Sequence, residues 1–297
     1  MICETTISSL VIKFCKMETY LLKLEDVQES FIEKRPSATC KTPYVADIIT
    51  NGEKTLAHSP SLGCCGIADK GRTVLTCPIK PTKKEAVCSR RIELGTYEEQ
   101  GRGRVIIGIN PKMGETIAQK ALENNLVAGL QNVRSWAREK TFLNSRFDFA
   151  GVDENGRPFI MEIKNVPIAD YVDVPKKERE SALAALTTLP DFNQKIAYFP
   201  DGYRKKSTDV VSPRALKHIQ ELETIATTTD TRTILCFIIQ RDDACCFQPS
   251  NIDLIYKEAV IKAHKNGVEI KTIQVKWTPE GECYFVRNDL PINLSCM

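Results

Sequence analysis

The chain has 297 residues, 42% of them hydrophobic and 27% charged, with a net charge of +3. That length allows about two domains, the composition is that of an ordinary globular protein, and so small a net charge excludes a chain that is basic throughout. No apolar run approaches the roughly 20 residues of a membrane span; with Glu4 in the opening stretch, no signal sequence and 12 cysteines without a CxxC pair, the expected setting is an intracellular, reducing compartment, cytoplasm or nucleus.

Residues 1–25 read as an N-terminal extension in which only 19–24 suits a strand. From 26 to 110 short strands are predicted at 31–34, 44–50, 54–58, 72–77, 89–94 and 105–109, split by turn residues such as Asn51-Gly52 and Gly101-Arg102-Gly103. Five or six strands in so short a stretch predict a small β-barrel or sandwich. Between Gly66 and Lys112 ten Lys/Arg oppose five Asp/Glu, a local excess of 10 − 5 = +5, which suits a phosphate backbone or simply solvated loops.

At Pro111 the pattern changes. Ile117, Ala118, Ala121 and Leu122 recur at helical spacing, predicting an amphipathic helix over 114–125. Residues 127–139 read as a second helix or an irregular connection. Then come two strands, 146–153 and 158–166, around Glu154-Asn155-Gly156. A charged, apolar-ended helix at 175–186 and a strand at 195–199 follow. Ser212-Pro213 opens a helix bearing Leu216, Ile219, Leu222 and Ile225. The nearly all-apolar 233–240 predicts a strand covered on both faces. A helix at 253–265 and strands at 268–277 and 282–286 complete the chain. The order predicts an α/β fold with a mixed sheet over 111–297, preceded by the barrel at 26–110.

The strand pair 146–166 holds Asp148, Glu162 and Lys164 among aromatic and branched neighbours. Glu162 and Lys164, two apart, share one face. A two-residue turn at Asn155-Gly156 puts Asp148 on the other face. A three-residue loop, 154–156, pairs 153 with 157 and sets Asp148 opposite Glu162. The longer loop is favoured, because Gly156 supplies the left-handed residue that it needs. Two facing carboxylates repel unless a cation lies between them, and a hard divalent ion takes one or two carboxylates with carbonyl and water oxygens. That is the constellation of a metal-dependent phosphodiester hydrolase. The same three residues also suit the wet face of an ordinary hairpin.

The order of these elements, with Phe31-Ile32-Glu33, Tyr44-Val45-Ala46-Asp47, Ala57-His58, Arg146-Phe147-Asp148-Phe149, Glu162-Ile163-Lys164-Asn165, Phe199-Pro200-Asp201, Lys217-His218 and Gln240-Arg241, resembles the sugar fermentation stimulation protein A family. The resemblance covers most of the chain from about Phe31. It implies an OB-like barrel followed by a PD-(D/E)xK nuclease-like domain, DNA as partner, and Mg²⁺ or Mn²⁺ as cofactor. By it Asp148, Glu162 and Lys164 are catalytic, and Asp148, Glu162 and Ile163 hold the metal. Arg146, Arg214, Lys217, Gln240 and Arg241 are candidates for nucleic-acid contact, and Asp201, His218 and Glu123 for an outer supporting role. The chain departs from the family where Lys120 stands at the position of the family's helix Glu, with Glu123 one turn away, and in an insertion at 169–194. A DNA-binding regulator that keeps the fold without turnover is the alternative that Lys120 favours.

Overall fold

The computed structural model describes residues 19–61, 64–80, 86–99, 101–186, 194–200, 202, 206 and 209–295. Its strands begin with β1 (Thr19–Lys23), β2 (Gln28–Lys34), β3 (Val45–Thr50), β4 (Glu53–His58), β5 (Thr73–Pro78), β6 (Arg90–Glu99) and β7 (Gly103–Gly108). Strands β2 to β7 form one sheet in the order β4-β3-β2-β5-β6-β7. β4 also pairs in parallel with β6 through Ala57 and His58, so the pairings run in a ring around Ile32, Ile48, Ala57, Val74, Ile92 and Ile107. All six strands lie where alternation and turn residues predict them.

The remainder comprises α1 (Pro111–Glu123), β8 (Ser135–Phe142), β9 (Ser145–Val152), β10 (Pro158–Val166), β11 (Ala169–Asp170), α2 (Arg179–Ala184), β12 (Lys195–Phe199), α3 (Pro213–Thr228), β13 (Arg232–Ile239), β14 (Ala244–Pro249), α4 (Leu254–Lys265), β15 (Glu269–Trp277) and β16 (Glu282–Arg287). A seven-stranded mixed sheet runs β1-β16-β15-β13-β10-β9-β8. β10, β13 and β15 are parallel at its centre. α1 covers one face through Ile117, Ala118, Ala121 and Leu122, and α3 and α4 cover the other. Thr19–Lys23, read as part of an extension, is this sheet's edge strand, paired with β16. A second small sheet, β11-β12-β14, flanks it.

α1, α3 and α4 start where side-chain caps satisfy free backbone N–H groups. Asn110 accepts from Lys112 N, Ser212 from Ala215 N and Asp253 from Tyr256 N, and Pro111 and Pro213 stand in the first turns. The stretch 127–139 contains no second helix. Ser135–Phe142 is instead an edge strand antiparallel to β9, mostly exposed, so no buried side required the alternation by which strands are read. No helix among the described residues is long and apolar enough to cross a membrane.

The two parts of the chain meet across β7 and the end of β13. Gly108 donates its N–H to Gln240 O at 3.0 Å. A Cβ on Gly108 would lie 1.8 Å from Gln240 Oε1, so only glycine permits the approach.

Candidate metal centre

The site is built on the β9–β10 hairpin. Asp153 N donates to Arg157 O and Gly156 N to Asp153 O. Gly156 has φ +86°, the left-handed backbone that a three-residue loop requires. The pairs Val152–Pro158, Gly151–Phe159, Ala150–Ile160 and Phe149–Met161 follow, and the same register sets Asp148 opposite Glu162. The strands part at that point. β10 continues beside β13, and Asp148 Oδ2 accepts from the Ile163 N–H at 2.7 Å, serving where a backbone carbonyl would otherwise stand. Phe149 and Phe147, two residues apart, lie in different cores, so β9 turns about Asp148.

Glu162 is 3% exposed. Its Oε1 accepts from Lys164 Nζ at 2.5 Å and is hydrogen-bonded to His218 Nδ1. Its Oε2 is buried with no hydrogen-bond partner. A buried carboxylate oxygen left unpaired costs free energy, unless a ligand completes it. Burial opposes the charge on Glu162, but Lys164 and His218 outweigh burial and hold its carboxyl below the usual range. Asp148 goes the other way. Burial, reinforced by the Glu162 charge and only partly offset by the Ile163 N–H, pushes it up to about 7.

These groups open into a cavity of about 300 Å³, to which α1 contributes Glu115, α3 Arg214, and the turn after β4 Ser61 and Cys64. Glu115 is the carboxylate that sequence reasoning missed. It accepts from Arg138 Nη2 at 2.6 Å, and its charge helps to raise Asp148. Its position beside the apolar stripe of the predicted helix was legible; its place in the second turn was not, because the helix was expected to begin at 114 and begins at Pro111, nor was the end of the helix that meets the hairpin. Glu123 is turned away, accepting from Lys120 and Gln119 on the outer face, so it does not support the site.

His218 lies on the buried side of α3 and orients Glu162. Arg146 is 61% exposed beside Glu139, and Lys217 donates to Asn144 O at 2.7 Å. Asp201 lies outside the described residues. Gln240 and Arg241 are corrections. Gln240 is fully buried, donating to Asn165 Oδ1 and accepting from Trp277 Nε1. Arg241 is buried too, forked onto Asp243 and donating to Tyr97 OH at 2.7 Å. Both occur where two sheets close over the end of β13: Gln240 is closed off, and Arg241, although it borders a neighbouring cavity, has its guanidinium held by Asp243, Pro167 O and Tyr97.

No three carboxylate, thiol or imidazole side chains converge tightly enough for a common ion among the described residues. The carboxylates that face the cavity are Asp148 and Glu162 across the hairpin, with Glu115 of α1 at its border, a set suited to a hard cation that keeps several waters. Glu162 Oε2, unpartnered, fits that requirement.

A family model, the sugar fermentation stimulation protein RE domain, matches residues 112–175 and 186–281. The chain belongs to this family. A sugar fermentation stimulation protein homolog of Clostridium perfringens (strain 13 / Type A) is 27% identical over 260 residues, 86% of this chain and 92% of that protein. The homolog of Rippkaea orientalis is 28% identical over 249 residues, covering 81% and 86%. Among solved structures, the family's protein from Pyrococcus furiosus, in complex with Ca²⁺, superposes with a TM-score of 0.69 at 18% identity, covering 93% of this chain and 99% of that one. That likeness is one of fold. The family model passes over 176–185, within the stretch that the sequence marked as an insertion.

Proposed function

We propose that this family member is a nucleic-acid-binding protein, with DNA as its substrate, whose β9–β10 hairpin is a divalent-metal-dependent phosphodiesterase site of the PD-(D/E)xK type, set behind an OB-like N-terminal domain. The observation that carries the reading is Glu162 Oε2, buried and unpartnered, on the same strand face as Lys164 and opposite Asp148. Asp148, Glu162 and the backbone of Ile163 would hold Mg²⁺ or Mn²⁺, and Glu115 borders the same space. The Ca²⁺ in the Pyrococcus furiosus relative is another hard, oxygen-seeking ion. When bound, such a metal polarises the phosphoryl group and makes a water acidic.

The chain's own residues do the rest. The Ile163 N–H fixes the orientation of Asp148. His218 and Lys164 together pin Glu162 Oε1, so that Oε2 alone faces outward. The ammonium of Lys164, 11% exposed, supplies positive charge and a proton donor next to the reacting phosphate. Arg214, at the rim of the cavity on the first turn of α3, meets a neighbouring phosphate.

The test is cleavage of plasmid and of single-stranded DNA with Mg²⁺ or Mn²⁺, wild type beside Glu162→Ala and Lys164→Ala. Metal-dependent cleavage by wild type, lost in both variants, is expected. Absence of cleavage by wild type leaves a binding protein without turnover, and cleavage unimpaired in Lys164→Ala refutes the catalytic site proposed on this hairpin.

A further inference from the structure

Beside the metal centre lies a second, larger cavity of about 530 Å³, walled by the N-terminal sheet on one side and by the inserted segment on the other. Ile168 lines both cavities, so the two adjoin. The far wall comes from Ala169, Asp170 and Tyr171, which the family model matches, and from Arg179 and Leu183 of α2, which it passes over. α2 buries none of its residues, so core packing does not explain it. It is anchored instead by Arg179, whose Nε lies 2.8 Å from Asp170 Oδ2 and whose Nη2 donates to Tyr198 OH at 2.7 Å. Tyr198 in turn lines the metal-centre cavity. One arginine therefore ties the inserted wall to the wall of the candidate site.

The chemistry of this second cavity is mixed in a definite way. Its charged groups are largely paired, Arg179 with Asp170 and Lys195 with Glu99, and the exposed Arg72 and Glu98 stand at its walls; the half-buried Leu183 and the buried Ile168 bring apolar surface, and Tyr171 brings a ring. Tyr171 is braced from beneath. Its hydroxyl donates to Glu99 Oε1 at 3.2 Å, and Lys195 Nζ sits 5.3 Å from its ring centroid. The buried Lys195 is itself satisfied by Tyr97, Glu99 and Asp243, so the floor is fixed and neutralised rather than open to a ligand. A braced aromatic ring, apolar neighbours and the exposed guanidinium of Arg72 are the equipment for one base and its phosphate, because base stacking is sequence-tolerant and arginine forks fit phosphate. A cavity of this size accepts a nucleotide.

We propose that the inserted segment builds a nucleotide subsite next to the metal centre, which takes an unpaired nucleotide of the strand leaving that centre. The base lies against Tyr171 and Leu183, and the phosphate meets Arg72. The subsite rests on the nucleic-acid reading above and narrows it to substrates with a single-stranded extension.

The experiment uses the full chain, without added metal and in EDTA, and follows the fluorescence anisotropy of two labelled DNA probes. One is a blunt duplex, and the other is the same duplex with a short single-stranded tail. Wild type is expected to bind the tailed probe more tightly. Tyr171→Ala should weaken the tailed probe roughly ten-fold, the range of one lost base stack, and leave the blunt probe unchanged. Tyr171→Phe, which keeps the ring but not the hydrogen bond to Glu99, should bind as wild type does. Arg72→Ala, at an exposed position, should weaken the tailed probe a few-fold and so carries the test if Tyr171→Ala fails to fold. The subsite is overturned if these variants bind the tail as wild type does, if both probes weaken equally, or if Tyr171→Phe loses as much as Tyr171→Ala. Wild type that binds duplex with no preference for the tail overturns the subsite and leaves the nucleic-acid reading intact. Wild type that binds neither probe removes both.

Discussion

Replacing Asp148 by asparagine tests the electrostatics of the site without assuming catalysis. Burial and the facing Glu162 charge raise the Asp148 carboxyl from the ordinary 3.8 to about 7. At about 1.4 kcal/mol per pH unit, ionising it in the folded chain costs up to about 4 kcal/mol. The sign follows from proton linkage: a carboxyl whose folded value is raised binds its proton more tightly in the folded than in the unfolded chain. It therefore stabilises the metal-free fold at low pH and withdraws that support as pH rises from about 4 through 7. The substituted amide cannot ionise, is nearly isosteric with the carboxyl, and keeps an oxygen that accepts from the Ile163 N–H. Metal-free Asp148→Asn should thus match wild type near pH 4 and exceed it in stability at pH 8. Allowing for relaxation, the excess should be about 2 kcal/mol, near 4 °C in melting temperature. The assay is thermal or urea unfolding of both proteins in EDTA across that range. In Mn²⁺ the order should reverse, because wild type gains binding energy that the variant lacks. A metal-free variant no more stable at pH 8, or an advantage independent of pH, would refute the picture of two carboxylates held apart from their counter-ion.

The other expectations are shorter. Lys164→Ala should keep metal affinity, by calorimetry with Mn²⁺, while cleavage falls by about 10²–10⁴, the usual loss for one acid–base group. Glu115→Gln should weaken Mn²⁺ binding, whereas Glu123→Gln, on the outer face, should leave it alone. Arg241→Ala should cost up to about 3–5 kcal/mol in urea unfolding, because it leaves the buried Asp243 with only Tyr97 and Lys195, with DNA affinity unchanged at temperatures where the fold holds; a selective loss of DNA affinity would reinstate it as a contact. DNA affinity should fall by about 0.7–0.9 log units per log of salt for each phosphate neutralised, and a flat salt titration would remove nucleic acid as the ligand.

Most of the secondary structure was legible because its causes are local. Asn155-Gly156 could be read as a turn, and the need for a left-handed residue at Gly156 selected the three-residue loop, which fixed by parity alone that Asp148 faces Glu162. Caps at Asn110, Ser212 and Asp253 act over two or three residues, and the buried stripe of α1 repeats within one turn. β8 escaped because an exposed edge strand carries no alternation, and β14, Ala244–Pro249, because its ACCFQP has none either.

Only the tertiary structure decided what each charge does. Arg241 and Asp243 form a pair that can be read in the sequence, but their burial depends on Tyr97, 144 residues before Arg241. Burial works against the charge on Asp243, yet Arg241, Tyr97 and Lys195 together hold its carboxyl well below the usual range. Gln240 is closed off by Trp277 and by a glycine on β7. Glu115 joins the site, and Glu123 leaves it, through the end of α1 that docks on the hairpin. Backbone conformation and strand parity are set by neighbours in sequence. Whether a carboxylate is paired, stranded or free to take a metal is set by desolvation and by charges that arrive from distant strands, which no local pattern encodes.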